Sequence, residues 1–346
     1  MNTNTKYKDK LLNLDKIKTH PGGGHRDDWT AVAIVLGLMK RHEMEMPVVF
    51  RQDPTNDDLE SSSVMLIDVG LEWDEDLLNF DHHQFGRDED PICALSLVLK
   101  WLGLYDTAKS VFKWLEATEI MDSKGPIVLG DAYDIGSNRL KSRMEQISSK
   151  YDVDKKYLSM EGTLPPRDAI MRMSSPIENF VLSTWSESEC HSPGDPFYEF
   201  MVEFGLNTVE TIAYIEHRHS ELSDKGNVYD IGAVKVFDAT FIPRDDNPTF
   251  YLEDYVSESH PDVAVTVTQD DRGEGFSLFR RNDHPAIDFS VFTERDVSGK
   301  QCIKDCWGDK IIFSHNGGFI AKTSELPRDD ANELIKAAIV SDSPAV

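Results

Sequence analysis

The feature that most constrains this chain lies near its start. Lys16-Ile-Lys-Thr19 reads as a short strand, and the turn-rich run His20-Pro-Gly-Gly-Gly-His25-Arg-Asp-Asp28 ends it. Trp29 to Met39 is then apolar almost throughout and long enough for a buried helix. Asp28 is placed to cap that helix, its carboxylate accepting a backbone N–H. The β-rich runs Pro47 to Arg51 and Val64 to Val69 supply the next strands. Strands alternating with helices predict an α/β fold, a parallel sheet with flanking helices.

Two more helices are expected from Cys93 to Leu104 and from Asp106 to Met121, the latter with Ala108, Val111, Phe112 and Leu115 at helical spacing. Asp122-Ser-Lys-Gly-Pro126 stops the second and leaves Asp122 at its C-terminal edge. From Val228 the pattern changes. Val228 to Val236, Val263 to Thr268, Phe276 to Arg280 and Ile311 to Ala321 read as strands, followed by a helix from Asp329 to Val340. At roughly 150 residues per domain, a chain of 346 residues divides in two. The expected units are a metal-binding catalytic domain over 1–200 and a smaller mixed α/β substrate-binding domain over 201–346, with the hinge between Ser192 and Gly226. The polar stretch from Ser123 to Pro176 reads as mostly helical with a turn at Leu164-Pro-Pro-Arg167. Its Lys141, Arg143, Lys155 and Lys156, interleaved with acidic residues, fit a solvated helix better than a nucleic-acid track.

Charge narrows the function classes. With 36 basic and 62 acidic residues the net charge is −26, which opposes long-range attraction of duplex DNA. No run approaches the ~18 consecutive apolar residues of a membrane span, and the opening MNTNTKYKDK lacks an apolar signal-peptide core, so a cytoplasmic protein is expected. Cys93, Cys190, Cys302 and Cys306 are too scattered for a disulfide scaffold, and the last two lack a second pair for a zinc site. They read as reduced thiols. The sequence carries no phosphate-binding P-loop, G-x-S-x-G elbow, H-E-x-x-H or strand-linked G-x-G-x-x-G. His217 and His219, two apart on a helix, point in different directions and would not share a metal.

What remains is a recurrence of imidazoles and carboxylates where strands end: His20, His25 and Asp27 after the first strand, Asp68 closing Val-Met-Leu-Ile-Asp, then Asp81-His82-His83, and Asp122. In an open α/β sheet such strand ends converge on one crevice. Taken singly, each residue reads better as a turn, capping or surface residue than as a ligand. Together they match the needs of a dinuclear site, in which ions ~3.5 to 4 Å apart share a carboxylate and keep positions for water and substrate.

Asp81-His82-His83, with Asp68 in an apolar I-D-V-G strand end, resembles the DHH phosphoesterase superfamily. The opening T-H-P-G-G-G-H-R-D-D is similar to the T-H-x-x-x-x-H-x-D-E of its melanocyte-proliferating-gene family of metal-dependent hydrolases and 3′-to-5′ exonucleases. Phe313-Ser-His315-Asn-Gly-Gly-Phe319 resembles that family's late F-x-H-x-x-G-F segment. The likeness runs from about residue 16 to about 340, with a poorly matching middle from Lys124 to Ile177. It implies that His20, His25 and Asp68 hold one metal and Asp27, Asp68, His82 and Asp122 the other, with Asp68 bridging. It further implies that His83 faces the substrate phosphate and that Asp81 orients its neighbours. Asp68, His82 and His83 would carry the catalysis. Asp28 stands where the family has Glu, which leaves Asp27 against Asp28 open as the ligand.

Mixed imidazole and carboxylate ligands suit two Mn²⁺ ions, with Mg²⁺, Co²⁺ or Zn²⁺ as substitutes. Hydrolysis at such a site uses water and needs no protein nucleophile. The second domain is expected to supply Arg280, His315, Asn316, Gly317 and Gly318 to the substrate, Arg280 with its neighbour Arg281 as a phosphate fork and the glycines as close backbone donors. The leading expectation is a phosphodiesterase or 3′-to-5′ exonuclease acting on single-stranded nucleic acid or short oligonucleotides. A small-substrate phosphohydrolase acting on pyrophosphate, a cyclic dinucleotide or 3′-phosphoadenosine 5′-phosphate, and a catalytically silent binding protein, are the rivals.

Overall fold

A computed structural model describes residues 6–86, 88–125, 128, 129, 132, 176–244, 251–298 and 300–340. The basic stretch Lys141 to Lys156 and the turn at Leu164 lie outside these residues. Contacts divide the chain into two compact units, Met1–Tyr214 and Ile215–Val346.

In the first unit, α1 (Lys6–Leu11) leads into β1 (Lys16–Thr19), α2 (Arg26–Arg41), β2 (Val48–Arg51), α3 (Asn56–Leu59), β3 (Val64–Ile67), β4 (Trp73–Asp74) and β5 (Asn79–Phe80). Helices α4 (Ala94–Leu102), α5 (Tyr105–Val111), α6 (Lys113–Ser123) and α7 (Pro176–Glu187) precede β6 (Cys190–His191) and the 30-residue α8 (Pro196–Lys225). The strands form one sheet in the order β4-β5-β3-β1-β2-β6. Strands β5, β3, β1 and β2 run parallel, and the two-residue edge strands β4 and β6 run antiparallel. Because β2 and β3 flank β1 on opposite sides, the connections leave β1 in one direction and β3 in the other. This reversal opens a crevice beyond the carboxyl ends of β1 and β3.

Helix α2 is buried from Asp27 to Met39, as its apolar sequence demands. It crosses α8 at a glycine pair. A Cβ on Gly205 would lie 1.7 Å from the Ala33 carbonyl oxygen and one on Gly37 2.1 Å from the Gly205 carbonyl carbon, so the helices touch backbone to backbone. Beneath the sheet edge, Asp58 takes the ammonium groups of Lys16 at 2.8 Å and the buried Lys18 at 2.7 Å.

The second unit holds β7 (Asn227–Ile231), β8 (Val234–Asp238), α9 (Leu252–Ser259), β9 (Val263–Gln269), β10 (Phe276–Arg280), β11 (Thr293–Arg295), β12 (Gln301–Ile303), β13 (Ile311–Ser314), β14 (Ile320–Thr323) and α10 (Arg328–Ala337). Its main sheet, β13-β14-β10-β9-β8-β7, is antiparallel except for the β8–β9 pair. Val236, Val265, Val267, Leu278, Phe289, Phe292, Leu334 and Ile335 form its core.

The class is therefore α/β in the first unit and mixed α/β in the second. Several expectations need correction. His25, not Asp28, is the N-cap of α2; Asp28 sits one turn in and its carboxylate accepts the His25 N–H at 3.0 Å. The helix expected over Asp106–Met121 breaks at Phe112, whose backbone leaves the helical region. The strands expected over Val228–Val236 and Ile311–Ala321 are hairpins, turning at Gly232 (φ +61°) and around Gly318 (φ +65°). The division between the two units, after Tyr214, falls within the Ser192–Gly226 stretch expected to join the domains, and it lies inside α8.

Candidate metal centre

The strand ends deliver the site. His20 follows β1 and Asp68 follows β3, while Asp81, His82 and His83 follow β5. His25, the N-cap of α2, and Asp27 in its first turn come from the loop after β1; Asp122 comes from the last turn of α6. Asp68 is buried and holds a left-handed backbone, φ +59°, a conformation Asp tolerates better than most residues because its short polar side chain bonds locally. Strain of this kind persists where the surrounding structure fixes it, commonly at functional sites.

Around Asp68 the ligand-type atoms form overlapping groups. His20, His25 and Asp68 each place one such atom within 4.8 Å of the others, as do Asp27, Asp68, His82 and Asp122, and likewise Asp68, Asp81, His82 and His83. The first two are the ligand sets that the resemblance implies. Asp68 Oδ2 lies 3.4 Å from His20 Nε2 and 3.9 Å from His25 Nδ1; its Oδ1 lies 3.1 Å from His82 Nε2. His82 Nε2 is also 2.7 Å from Asp122 Oδ2. Despite these distances, both oxygens of Asp68, both of Asp27 and the Nε2 atoms of His20 and His82 are buried without a properly aligned hydrogen bond. These ligand-type atoms thus lie close together without pairing in aligned hydrogen bonds.

The electrostatics say the same. Burial drives the Asp27 carboxyl well above the usual carboxylate range, and the charges of Asp122, Asp68 and Asp28 push it further. Burial also raises Asp68, with Asp122 and Asp28 adding to it and His82 opposing. Burial alone would lower His20 and His82, yet Asp28 and Asp68 push the first up to about 9, and Asp122 and Asp68 push the second up to about 10. Buried carboxylates in such numbers require cations, and protons or divalent ions are the two that fit. The donor set, imidazole and carboxylate without thiolate, suits a borderline or hard divalent ion. The residues present fit the metal centre that the resemblance implies.

The surrounding contacts fix orientation. His20 Nδ1 is 2.8 Å from the Pro21 carbonyl, which, with the proton on Nδ1, presents the Nε2 lone pair to the site. Asp81 accepts from Leu71 N–H at 2.7 Å and from His83 N–H at 2.9 Å, and lies 2.6 Å from His83 Nδ1. His83 is left about half exposed, beside the ligand cluster. Asp28 is fully buried and accepts from Trp29 N–H (2.6 Å), His25 N–H (3.0 Å) and Trp185 Nε1–H (3.2 Å). Its oxygens are committed to donors, whereas those of Asp27 are not. Of the adjacent pair, Asp27 is the one open to a cation.

Sequence reasoning missed the wall behind His20. Trp185 on α7 stacks on His191 (4.9 Å) and lies under the Arg51 guanidinium (5.1 Å). Arg51 donates to the carbonyls of Trp185 and His20, both at 3.2 Å. Gly24 donates its N–H to Ser186 Oγ at 2.8 Å, and a Cβ there would sit 2.2 Å from the indole Cδ1. No local pattern marks residues 185–191 as partners of a loop some 160 positions earlier.

In the second unit, Arg280 donates to the carbonyls of Ile287 and Gly317, both at 3.1 Å, and to Asp283 at 2.9 Å. Arg281 is fully buried against Glu253 and Ser257, so the two arginines do not form a fork. His315, Asn316 and Gly317 are exposed in the β13–β14 turn, Gly318 is buried within it, and Gly317 donates to the His315 ring at 3.0 Å. His217 lies 3.8 Å from Glu221 and His219 contacts the Tyr251 carbonyl, so they share no partner. All four cysteines are free, and among the described residues no helix is long and apolar enough to cross a membrane.

Comparison with protein families gives a match over residues 16–92 to MYG1_exonuc, described as an uncharacterised protein family (UPF0160). The melanocyte-proliferating-gene resemblance is borne out there. The MYG1_exonuc match contains His20, His25, Asp27, Asp68, His82 and His83; Asp122 and the Phe313–Phe319 turn lie beyond it. Comparison with curated proteins gives no match. Among solved structures, a DHH domain described as a member of the s1p family of ribosomal proteins shares 11% identity, with 95% of this chain and 87% of that chain covered at a TM-score of 0.31. CDC45 from Entamoeba histolytica shares 7% identity, with 96% and 98% covered at a TM-score of 0.26.

Proposed function

We propose that this protein is a divalent-metal-dependent phosphoesterase, a phosphodiesterase or 3′-to-5′ exonuclease acting on single-stranded nucleic acid or short oligonucleotides. The observation that carries the reading is Asp68: a buried carboxylate without an aligned hydrogen bond on either oxygen, common to both ligand sets. His20 and His25 would hold one ion, Asp27, His82 and Asp122 a second, with Asp68 between; manganese suits the set and Mg²⁺, Co²⁺ or Zn²⁺ would substitute. Ions so held would supply Lewis acidity and lower the pKa of bound water, making hydroxide available as the nucleophile. His83, oriented by Asp81 and half exposed, is the group available to a phosphoryl oxygen. The name of the MYG1_exonuc family supports exonuclease chemistry over other phosphoester hydrolysis.

The test is manganese-dependent release of mononucleotides from a 5′-labelled single-stranded oligomer. No release with any divalent ion counts against the reading. The net charge of −26 favours a second reading with the same site, a small-substrate phosphohydrolase. Pyrophosphate turned over far faster than any oligonucleotide would select it. His315, Asn316, Gly317 and Gly318 are proposed as substrate contacts on the strength of the resemblance, and Arg280 as a cation at the end of its strand.

A further inference from the structure

Beside His83 lies an apolar surface that the phosphoester chemistry does not use. Trp73, on edge strand β4, is 44% exposed, and Leu71 is 65% exposed with a left-handed backbone (φ +58°) that few non-glycine residues adopt. Phe85 packs edge-on to Trp73 with ring centroids 5.8 Å apart. The position is fixed by register: Trp73 pairs with Phe80, the residue before Asp81, so the indole stands at the carboxyl end of β5 where the ligands emerge. Two hydrogen bonds fasten this segment to the site, Leu71 N–H to Asp81 Oδ2 at 2.7 Å and Asp81 N–H to the Glu72 carbonyl at 2.9 Å. The same Asp81 orients His83. One carboxylate therefore couples the aromatic surface to the group nearest the substrate.

We infer that Trp73, backed by Phe85, is a stacking platform for the terminal nucleobase of a short oligonucleotide whose phosphate reaches the metal centre. This rests on the phosphoesterase reading and narrows its substrate. An exposed indole offers a π-face to any base. The charge near it in the chain limits what else fits: Glu72, Asp74 and Asp76 are exposed, and Lys10 bridges Asp76 at 3.4 Å. A neutral base tolerates such a rim, whereas a long phosphate backbone crossing it is repelled. The platform thus holds one base at the end of a short chain.

The test uses full-length protein with manganese and two probes, adenosine 5′-monophosphate and ribose 5-phosphate, which share the phosphate and differ in the base. Calorimetry on the wild type should show the nucleotide binding more tightly. Trp73→Ala should weaken the nucleotide about tenfold, the scale of one stacked base, and leave ribose 5-phosphate unchanged, while Trp73→Phe stays close to wild type. Because Trp73 is not one of the metal-ligating groups, manganese content should not move. Equal binding of the two probes by the wild type, or equal weakening of both by Trp73→Ala, overturns the platform. If manganese is bound and pyrophosphate hydrolysed while the base contributes nothing, the platform alone falls. If no manganese is bound, the site reading falls first.

Discussion

Asp68 Oδ1 lies 3.1 Å from His82 Nε2, across the ends of the adjacent parallel strands β3 and β5, with no aligned hydrogen bond at either atom. A hydrogen-bonding role would align the pair. A shared cation, as proposed above, would account for both the proximity and the missing alignment.

Substitution at Asp68 separates charge from shape. Asn keeps the size and tolerates the left-handed backbone at this position. Asp68→Asn should leave the metal-free protein as stable as the wild type or more so, since a buried like-charge cluster loses a member. The rise in melting temperature on adding manganese should vanish, and activity should fall at least about 100-fold. Thermal melts with and without MnCl₂ read both effects; manganese stabilisation retained in the variant would count against a bridging Asp68.

The wall behind His20 is open to a subtler test. Trp185→Phe keeps an aromatic ring, though a smaller one, and removes the N–H that Asp28 accepts at 3.2 Å. Groups that orient ligands typically affect metal affinity by about 10- to 100-fold. Manganese affinity should drop by about tenfold with the fold intact, and a metal titration followed by calorimetry measures it.

Gly24→Ala should destabilise more than its size implies, because the added methyl would press into the Trp185 indole. Overpacking of this kind costs about 1–3 kcal/mol. Gly23→Ala, with open space around it, is the control. Chemical denaturation of the pair should separate them by that amount.

The Asp58 ion pairs set an acid limit. Asp58 is buried, which alone would raise its pKa, but Lys16, Lys18 and Thr55 hold it well below the usual carboxylate range. A lowered folded-state pKa means stability present above the unfolded value of ~3.9 and lost as pH falls toward the folded one. Stability should therefore decline below about pH 4. Asp58→Asn should cost about 3 kcal/mol at neutral pH, mostly from stranding the buried Lys18, since the more exposed Lys16 stays hydrated. Urea melts at pH 7 and pH 3 should show the wild-type advantage shrinking in acid.

The legible parts were those encoded locally. β1, the glycine turn and the apolar run of α2 follow from adjacent residues, and strand-end chemistry follows from where those elements stop. Capping was less so: Asp28 reads as an N-cap until the three-residue offset to His25 is seen in space. The hairpin at Gly232 hid inside a continuous β-prone run, since a two-residue turn scarcely interrupts the pattern. Trp185, Arg51 and His191 carry no signal at all, because their role arises from β6 pairing with β2 far along the chain.

The most direct measurement is metal content of protein equilibrated with manganese and stripped of excess, paired with anomalous diffraction from the same preparation. The account predicts two ions per chain, one on each side of Asp68, with His20 and His25 at one and Asp27, His82 and Asp122 at the other. An empty cluster, or ions bound with the Asp68 side chain turned away from both, would contradict it.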